Sequence, residues 1–251
     1  MSPSRIALVT GAANGIGLAT SHALLRAGHR VVMVDEVDFD PRALVAPESL
    51  AQLQTANFDV TDTAAARALD QRLMQGWGPV SILVNNAGVS PKQPGGQSSG
   101  LLEITSAEWN RVLDVNLSAA MRLCQIFVPR MKTLHWGRIV NVSSLAGRAR
   151  SMVAGASYST SKAGLIGLTR AIASEFGAAG ITANCVVPGR IQTRMAAQAG
   201  EEVNRRYAEQ IPVRRLGTPA EVASAIAYLA SEEAAFINGA LLDLNGGSYM
   251  P

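Results

Sequence analysis

Ile6-Ala7-Leu8-Val9-Thr10, running straight into Gly11-Ala12-Ala13-Asn14-Gly15-Ile16-Gly17, is the stretch that decides the fold. An apolar run of buried-strand type meets a turn with three glycines, and Leu18, Leu24 and Leu25 then carry a helix to Gly28. That order suits a phosphate: glycines let the backbone approach a pyrophosphate, and the helix start offers unpaired N–H groups and partial positive charge. The spacing is G-x-x-x-G-x-G rather than the commoner G-x-G-x-x-G. An ordinary tight turn is the plainer alternative, so Gly11, Asn14, Gly15, Ile16 and Gly17 become dinucleotide contacts only in the right company.

The pattern repeats along the chain. Val31-Val32-Met33-Val34 ends at Asp35-Glu36, with Asp35 18 residues beyond Gly17. A carboxylate there accepts bonds from an adenosine ribose and repels a 2′-phosphate, which favours NAD over NADP. Asn14, where a basic residue could meet that phosphate, points the same way. Asp38 to Leu53 is a polar connection, Ala56 to Val60 reads as a third strand, and Thr63 to Gln75 reads as a helix stopped by Gly76 and Pro79. Asp59, with Val60 at that strand's end, either reaches the adenine or caps the next helix.

A fourth strand, Val80 to Val84, ends in Asn85-Asn86-Ala87-Gly88, where small residues admit a flat ring and the Asn side chains tie strand ends together. Thr105-Ser106-Ala107-Glu108 has the capping-box pattern and starts a helix. Within it, Asn116 interrupts an apolar run and either faces solvent or bonds something specific. Ile139 to Val142 delivers Ser143-Ser144 to the same edge, and Thr182 to Val187 delivers Pro188-Gly189-Arg190-Ile191-Gln192-Thr193. Helical character surrounds Val203 to Ala208, Thr218-Pro219-Ala220-Glu221 starts a helix to about Ala230, and Leu241 to Leu244 is a last strand. Alternating strands and helices imply an α/β fold with a parallel sheet covered on both faces, whose ligand crevice lies at the strands' carboxyl ends.

Ser157-Tyr158-Ser159-Thr160-Ser161-Lys162 adds chemistry to that edge. Tyr158 and Lys162 stand one helical turn apart on one face, and an ammonium beside a phenol lowers its pKa so that it can exchange a proton near neutrality. A solvated helix face is the bland reading, and the convergence of every motif on one edge counts against it.

The 251 residues, 48% hydrophobic, suit one domain spanning 1–251, with substrate loops at about 89–101, 145–156 and 189–217. Net charge is only +3 with scattered basic residues, so nucleic acid is not an expected partner. Cys124 and Cys185 lack metal or redox spacing and read as reduced core thiols. Met1 to Arg5 shows no signal-peptide pattern, and no apolar run approaches bilayer-spanning length, so a soluble cytoplasmic protein away from the membrane is expected. None of the three histidines lies in a motif, and no metal is expected.

Gly11-x-x-x-Gly15-x-Gly17, Asn85-Asn86-Ala87-Gly88, Asn116, Ser143-Ser144, Tyr158-x-x-x-Lys162 and Pro188-Gly189 with Thr193 together closely resemble the short-chain dehydrogenase/reductase family over essentially the whole chain. The resemblance implies a single-domain Rossmann fold with a doubly wound seven-stranded parallel sheet, a nicotinamide cofactor, and hydride transfer at a secondary alcohol or ketone. It implies that Tyr158 is the acid–base, that Lys162 holds the nicotinamide ribose and lowers the Tyr pKa, and that Ser144 bonds the substrate oxygen. Asn116 would hold a water linking Lys162 to solvent. Gly11, Gly15 and Gly17 would meet the pyrophosphate, Asp35 the ribose, and Ile191 and Thr193 the carboxamide. Family members usually pair through the helices bearing Tyr and Asn, commonly as tetramers. Ala163, Gly164, Gly167 and Ala171 offer a small-residue face for a homotetramer, with intrachain packing as the alternative.

The substrate is less legible. Arg148, Arg150, Arg190 and Arg194 lie in loops that border the pocket in relatives, and one of them is expected to meet an anionic group. NAD preference suits oxidation of a sugar, polyol or hydroxy acid. Reduction of a 3-oxoacyl group on acyl carrier protein is the alternative, which Asp35 counts against. A non-catalytic NAD-binding sensor would show damage at Tyr, Lys or Ser, and all three are intact.

Overall fold

The structure is a computed structural model that describes residues 4–93, 96–151 and 153–250. Pro94, Gly95 and Met152, within two of the expected substrate loops, lie outside the described residues, as do the chain's first three residues and its last. β1 (Ile6–Thr10) is buried at every residue, as a strand covered on both faces must be. With it run β2 (Arg30–Asp35), β3 (Leu53–Asn57), β4 (Ile82–Asn85), β5 (Gly137–Val142), β6 (Ile181–Pro188) and β7 (Leu241–Leu244). They form one seven-stranded sheet in the order β3-β2-β1-β4-β5-β6-β7, parallel throughout. Val9 lies beside Met33 on one side and Val84 on the other. Strand order reverses at the β1–β4 pair, so the connections leave in opposite directions there and open a crevice.

The helices are α1 (Gly15–Arg26), α2 (Thr63–Gly76), α3 (Ser106–Leu113), α4 (Ala119–Leu134), α5 (Ala156–Phe176), α6 (Arg194–Ala197), α7 (Glu201–Gln210) and α8 (Pro219–Leu229). Strand residues alternate between two cores. Leu8, Val32, Leu83 and Ile139 pack with Leu69 and Leu73 of α2, Phe127 and Met131 of α4, and Ile172 of α5. Ala7, Val31, Ile82 and Val140 pack on the other face with Leu24 of α1 and Val222 and Ile226 of α8. Each large side chain so buried stabilises the fold by about 1.5–3 kcal/mol relative to exposure. Thr218 and Glu221 close the expected capping box at α8. At α3 only half of one forms: Thr105 accepts from the Glu108 N–H, while the Glu108 carboxylate accepts from Ser99 Oγ at 2.8 Å.

Several boundaries differ from the sequence reading. The third strand is Leu53–Asn57 rather than Ala56 to Val60. It is an edge strand carrying polar residues, and the apolar signal just past its end comes from Phe58 and Val60, which leave the sheet to pack in two separate clusters. The connection after β2 contains short 3-10 turns at Pro41–Ala43 and Pro47–Gln52. α3 and α4 are one continuous helix joined by a π turn, Asp114–Ser118. At 29 residues it is, by length and composition alone, long and apolar enough to cross a bilayer, contrary to the expectation that no such run exists. Counting unbroken apolar residues misses it because Asp114 and Arg122 interrupt the run. Leu123, Phe127 and Met131 on one face are buried in the core, as in a core helix of a globular domain, while Met121 and Leu134 are exposed.

Candidate active site

The carboxyl ends of the strands surround a cleft of about 690 Å³, within the usual size of small-molecule sites. Gly11 adopts φ +63°, the left-handed region that glycine enters freely. A Cβ on Gly17 would sit 2.0 Å from the Gly11 carbonyl oxygen, so only glycine lets α1 start this close to β1. α1 has no carboxylate in its first turn, and the Asn14 side chain makes no cap hydrogen bond. Its N-terminal N–H groups and positive pole therefore face the cleft uncompensated. Asn86 holds this turn by donating to the Thr10 and Gly11 carbonyls at 2.8 and 3.0 Å, and Asn85 donates to Asn141 at 2.8 Å. The Asn residues thus tie strand ends together as expected, while Ala87 and Gly88 line the cleft beside Gly15 and Ile16.

One end of the cleft is acidic. Asp35 is buried and accepts from the Ala13 N–H at 2.8 Å and the Val37 N–H at 3.1 Å, which fixes its carboxylate on the wall. Asp59 accepts from Thr61 and from Arg111 at 2.8 Å, and these bonds hold its carboxyl below the usual range against a burial effect that raises it. Asp62, not Asp59, caps α2. Arg111 also reaches Glu36 at 3.4 Å. Sequence reasoning missed Arg111, because its partners lie 52 and 75 residues away and nothing in its own helix marks it.

The other end holds the polar cluster. Ser144 and Tyr158 line the cleft side by side, and Lys162 Nζ lies 5.7 Å from the Tyr158 ring centre and donates to the Val142 carbonyl at 2.8 Å. Ser143 turns away and donates to the Lys162 carbonyl at 2.8 Å, which leaves Ser144 as the serine beside the phenol. Burial pushes the Tyr158 phenol above its ordinary pKa, the Ser144 hydroxyl opposing it, so the expected lowering by Lys162 is not found. The two side chains share a helix face, yet burial outweighs that neighbour. Lys162 is itself held down to about 8 by burial, with Cys185 pulling the other way. Cys124 is pushed up to about 12 by burial, and both cysteines are free and buried, consistent with core thiols.

Asn116 sits in the π turn, and its position there settles what its spacing left open. Its Oδ1 accepts from the Val89 N–H at 2.8 Å, and its amide donates to the Val89 carbonyl and to Ser161 Oγ, both at 3.0 Å. It clasps the chain just after Gly88 and leaves one lone pair of Oδ1 for the water the resemblance implies. Pro188, Gly189, Ile191, Thr193 and Val60 line the same cleft.

The four loop arginines separate. Arg148 is committed to Asp243 and lies over Tyr249, outside the cleft lining. Arg194 is exposed and also outside it. Arg190 lines the cleft with its guanidinium over Tyr207 and bonds to Asn204 and the Ala196 carbonyl, and Arg150 lines it from an exposed position. Lys92 joins them from the loop after β4. Among the described residues no group of His, Cys, Asp and Glu could hold a metal ion.

A doubly wound sheet with this glycine turn, a Ser–Tyr–Lys cluster and an Asn in a π turn defines a nucleotide-binding oxidoreductase architecture. Residues 11–249 match the family described as Enoyl-(Acyl carrier protein) reductase, and the chain belongs to the short-chain dehydrogenase/reductase family of Rossmann-fold oxidoreductases. Among curated relatives, an acetoacetyl-CoA reductase of Rhizobium meliloti is 39% identical over 98% of this chain and 99% of its own. Among solved structures, a 3-oxoacyl-[acyl-carrier protein] reductase with bound NAD from Brucella melitensis superposes with a TM-score of 0.89 at 34% identity, covering 100% of this chain and 93% of the other. A protein of Agrobacterium tumefaciens, described provisionally as a gluconate dehydrogenase, gives 0.83 at 32% identity over 97% and 95%.

Proposed function

We propose that the chain is a single catalytic domain that interconverts a ketone and a secondary alcohol with a nicotinamide cofactor, and that its substrate is a 3-oxoacyl-type ketone. The observation that carries the reading is the gathering of Ser144, Tyr158 and the buried Lys162 on one wall of the cleft, the ammonium 5.7 Å from the Tyr158 ring centre. The relatives favour ketone reduction, the alternative in the sequence reading, over oxidation of a sugar or polyol.

The residues present fit the cofactor: Gly11 and Gly17 leave no room for a Cβ, and α1 presents an uncompensated positive pole for a pyrophosphate. When bound, the nicotinamide supplies or accepts the hydride. The wall of Asp35, Glu36 and Asp59 carries three carboxylates against the one guanidinium of Arg111, which favours the ribose hydroxyls of NAD and repels a 2′-phosphate. Gly88, next to both Asn116 Oδ1 and Lys162 Nζ, leaves space for a ribose within reach of the ammonium, and Ile191 and Thr193 flank the carboxamide position.

Ser144 donates to the substrate carbonyl oxygen and orients it. Tyr158, a phenol that burial holds further toward its protonated form, delivers its proton to that oxygen as alkoxide character develops. The Lys162 ammonium, 5.7 Å from the Tyr158 ring centre, is placed to hold the nicotinamide ribose. The helices carrying Asn116 and Tyr158 already pack on each other through Gly164 and Leu117. Assembly into a homotetramer therefore uses the exposed Ala163, Gly167 and Ala171.

Acetoacetyl-CoA reduction, followed by loss of reduced nicotinamide absorbance, tests the reading. We expect turnover with NADH exceeding that with NADPH on the order of tenfold or more in kcat/KM, a difference of about 1.4 kcal/mol or greater. Equal rates remove the role given to Asp35, and no turnover of this or related 3-oxo compounds removes the substrate reading.

A further inference from the structure

The charges around the cleft are segregated. Its carboxylates, Asp35, Glu36 and Asp59, lie at one end, and among the described residues none lines the Tyr158 end, where Lys92, Arg150 and Arg190 gather. Lys92 is half-buried, donates to Ser98 Oγ at 2.9 Å and to the Val153 carbonyl, and so joins the loop after β4 to the loop before Tyr158. An ammonium has three protons, so one donor remains. Arg190, also half-buried, uses two of its five N–H groups on Asn204 and the Ala196 carbonyl.

Neither Lys92 nor Arg190 has a carboxylate partner among the described residues. Arg138, Arg148 and Arg5, also half-buried or buried near strand ends, are each paired with a carboxylate, whereas Arg30 at the start of β2 rests on the Trp77 carbonyl and ring. Burial and the nearby charge of Arg190 hold Lys92 below its ordinary pKa, a sign that the two cations repel. Two like charges held together in a half-dry pocket are costly without a counter-ion, and such pairs mark places where a ligand supplies it.

We propose that Lys92 and Arg190, with Arg150 at the rim, form a carboxylate seat at the substrate end of the cleft, making Lys92 a specificity residue for free oxo and hydroxy acids over their neutral esters. This deepens the reading that a ketone is reduced at Tyr158 and rests on it. A planar carboxylate accepts from both cations at once, which places the ketone of a short oxo acid toward Ser144 and Tyr158. The cofactor's pyrophosphate does not compete, because its place is at the α1 N-terminus.

The test compares acetoacetate, methyl acetoacetate and acetoacetyl-CoA with NADH in the wild-type protein, Lys92→Met and Lys92→Arg. The wild type should prefer the acid to the ester by tenfold or more in kcat/KM. Lys92→Met should lower that ratio at least tenfold, chiefly through KM, and Lys92→Arg should restore it. A purely structural staple between the loops would move acid and ester alike, and that result overturns the seat. A Lys92-dependent preference for the CoA thioester over the acid also overturns it, by assigning the cations to a phosphate. If no substrate is turned over, thermal shift with butyrate decides: Lys92-dependent stabilisation keeps the seat while the ketone reading fails, and its absence removes both.

Discussion

At the amino ends of the strands, Trp136 lies between two guanidiniums, Arg5 at 4.0 Å and Arg138 at 4.4 Å from its ring centre. Glu232 completes the group, accepting from Trp136 Nε1 at 2.9 Å and pairing with Arg5 at 3.1 Å and Arg138 at 3.7 Å. Each charge there meets an opposite charge, and these contacts hold Glu232 below the usual carboxylate range. At the Tyr158 end of the cleft, on the carboxyl edge, the reverse holds: Lys162 is buried with only a backbone carbonyl as hydrogen-bond partner, and Lys92 and Arg190 line the same wall without a carboxylate. The Trp136 group matches its charges, while the Tyr158 end of the cleft holds like charges together, the pattern expected where stability is given up for reactivity.

Tyr158→Phe should break the comparison most sharply. Removing the hydroxyl takes away the proton donor, so kcat should fall by about 10²–10⁴. Dinucleotide binding, followed by quenching of the chain's tryptophan fluorescence, should persist. A variant that retains most of its rate would place the acid elsewhere in the cleft.

Trp136→Ala probes the opposite edge. It removes a half-buried ring, two cation–π contacts and the bond to Glu232, and should destabilise the fold by about 2–4 kcal/mol. Denaturant unfolding measures the loss, and kcat at a temperature where the variant remains folded should stay within about twofold, since the ring is at the far edge from Tyr158. A drop in kcat comparable to that of Tyr158→Phe would mean that the two edges are coupled.

The two edges also differ in how far the sequence reveals them. Central strands such as Ile6–Thr10 announce themselves as unbroken apolar runs because both their faces are covered. β3 does not, because at the sheet's edge Gln54, Thr55 and Asn57 carry no such signal, and the eye moves on to Phe58 and Val60. Tyr158, Lys162, Ser144 and the glycines are found by spacing, since helix and turn geometry is local. Their electrostatics are not, because burial depends on which distant segments close over them. The arginines show the same limit: what commits Arg148 is Asp243, nearly a hundred residues on, while Arg190 is held by Asn204 and Tyr207. Loop residues of one charge look alike until their partners from elsewhere in the chain are in place.

Lys162→Met gives the smallest effect and the most discriminating one. The folded-state pKa of about 8 lies below the ordinary 10.5, so the unfolded chain holds this proton more tightly than the folded protein. Stability from this group therefore rises with pH between about 8 and about 10.5, and below 8, where the ammonium is charged in both states, the folded state bears the full cost of burying it. Methionine removes that charge and leaves the Val142 carbonyl without its donor, a loss of about 1 kcal/mol set against a larger relief. The variant should be more stable than wild type at pH 7 by on the order of 1 kcal/mol while losing most of its activity, and the gain should vanish as pH passes about 10.5. Thermal unfolding across that range reads the sign directly. A variant less stable at pH 7 would show that Lys162 is a structural charge like Arg138, and the contrast between the two edges of the sheet would not hold.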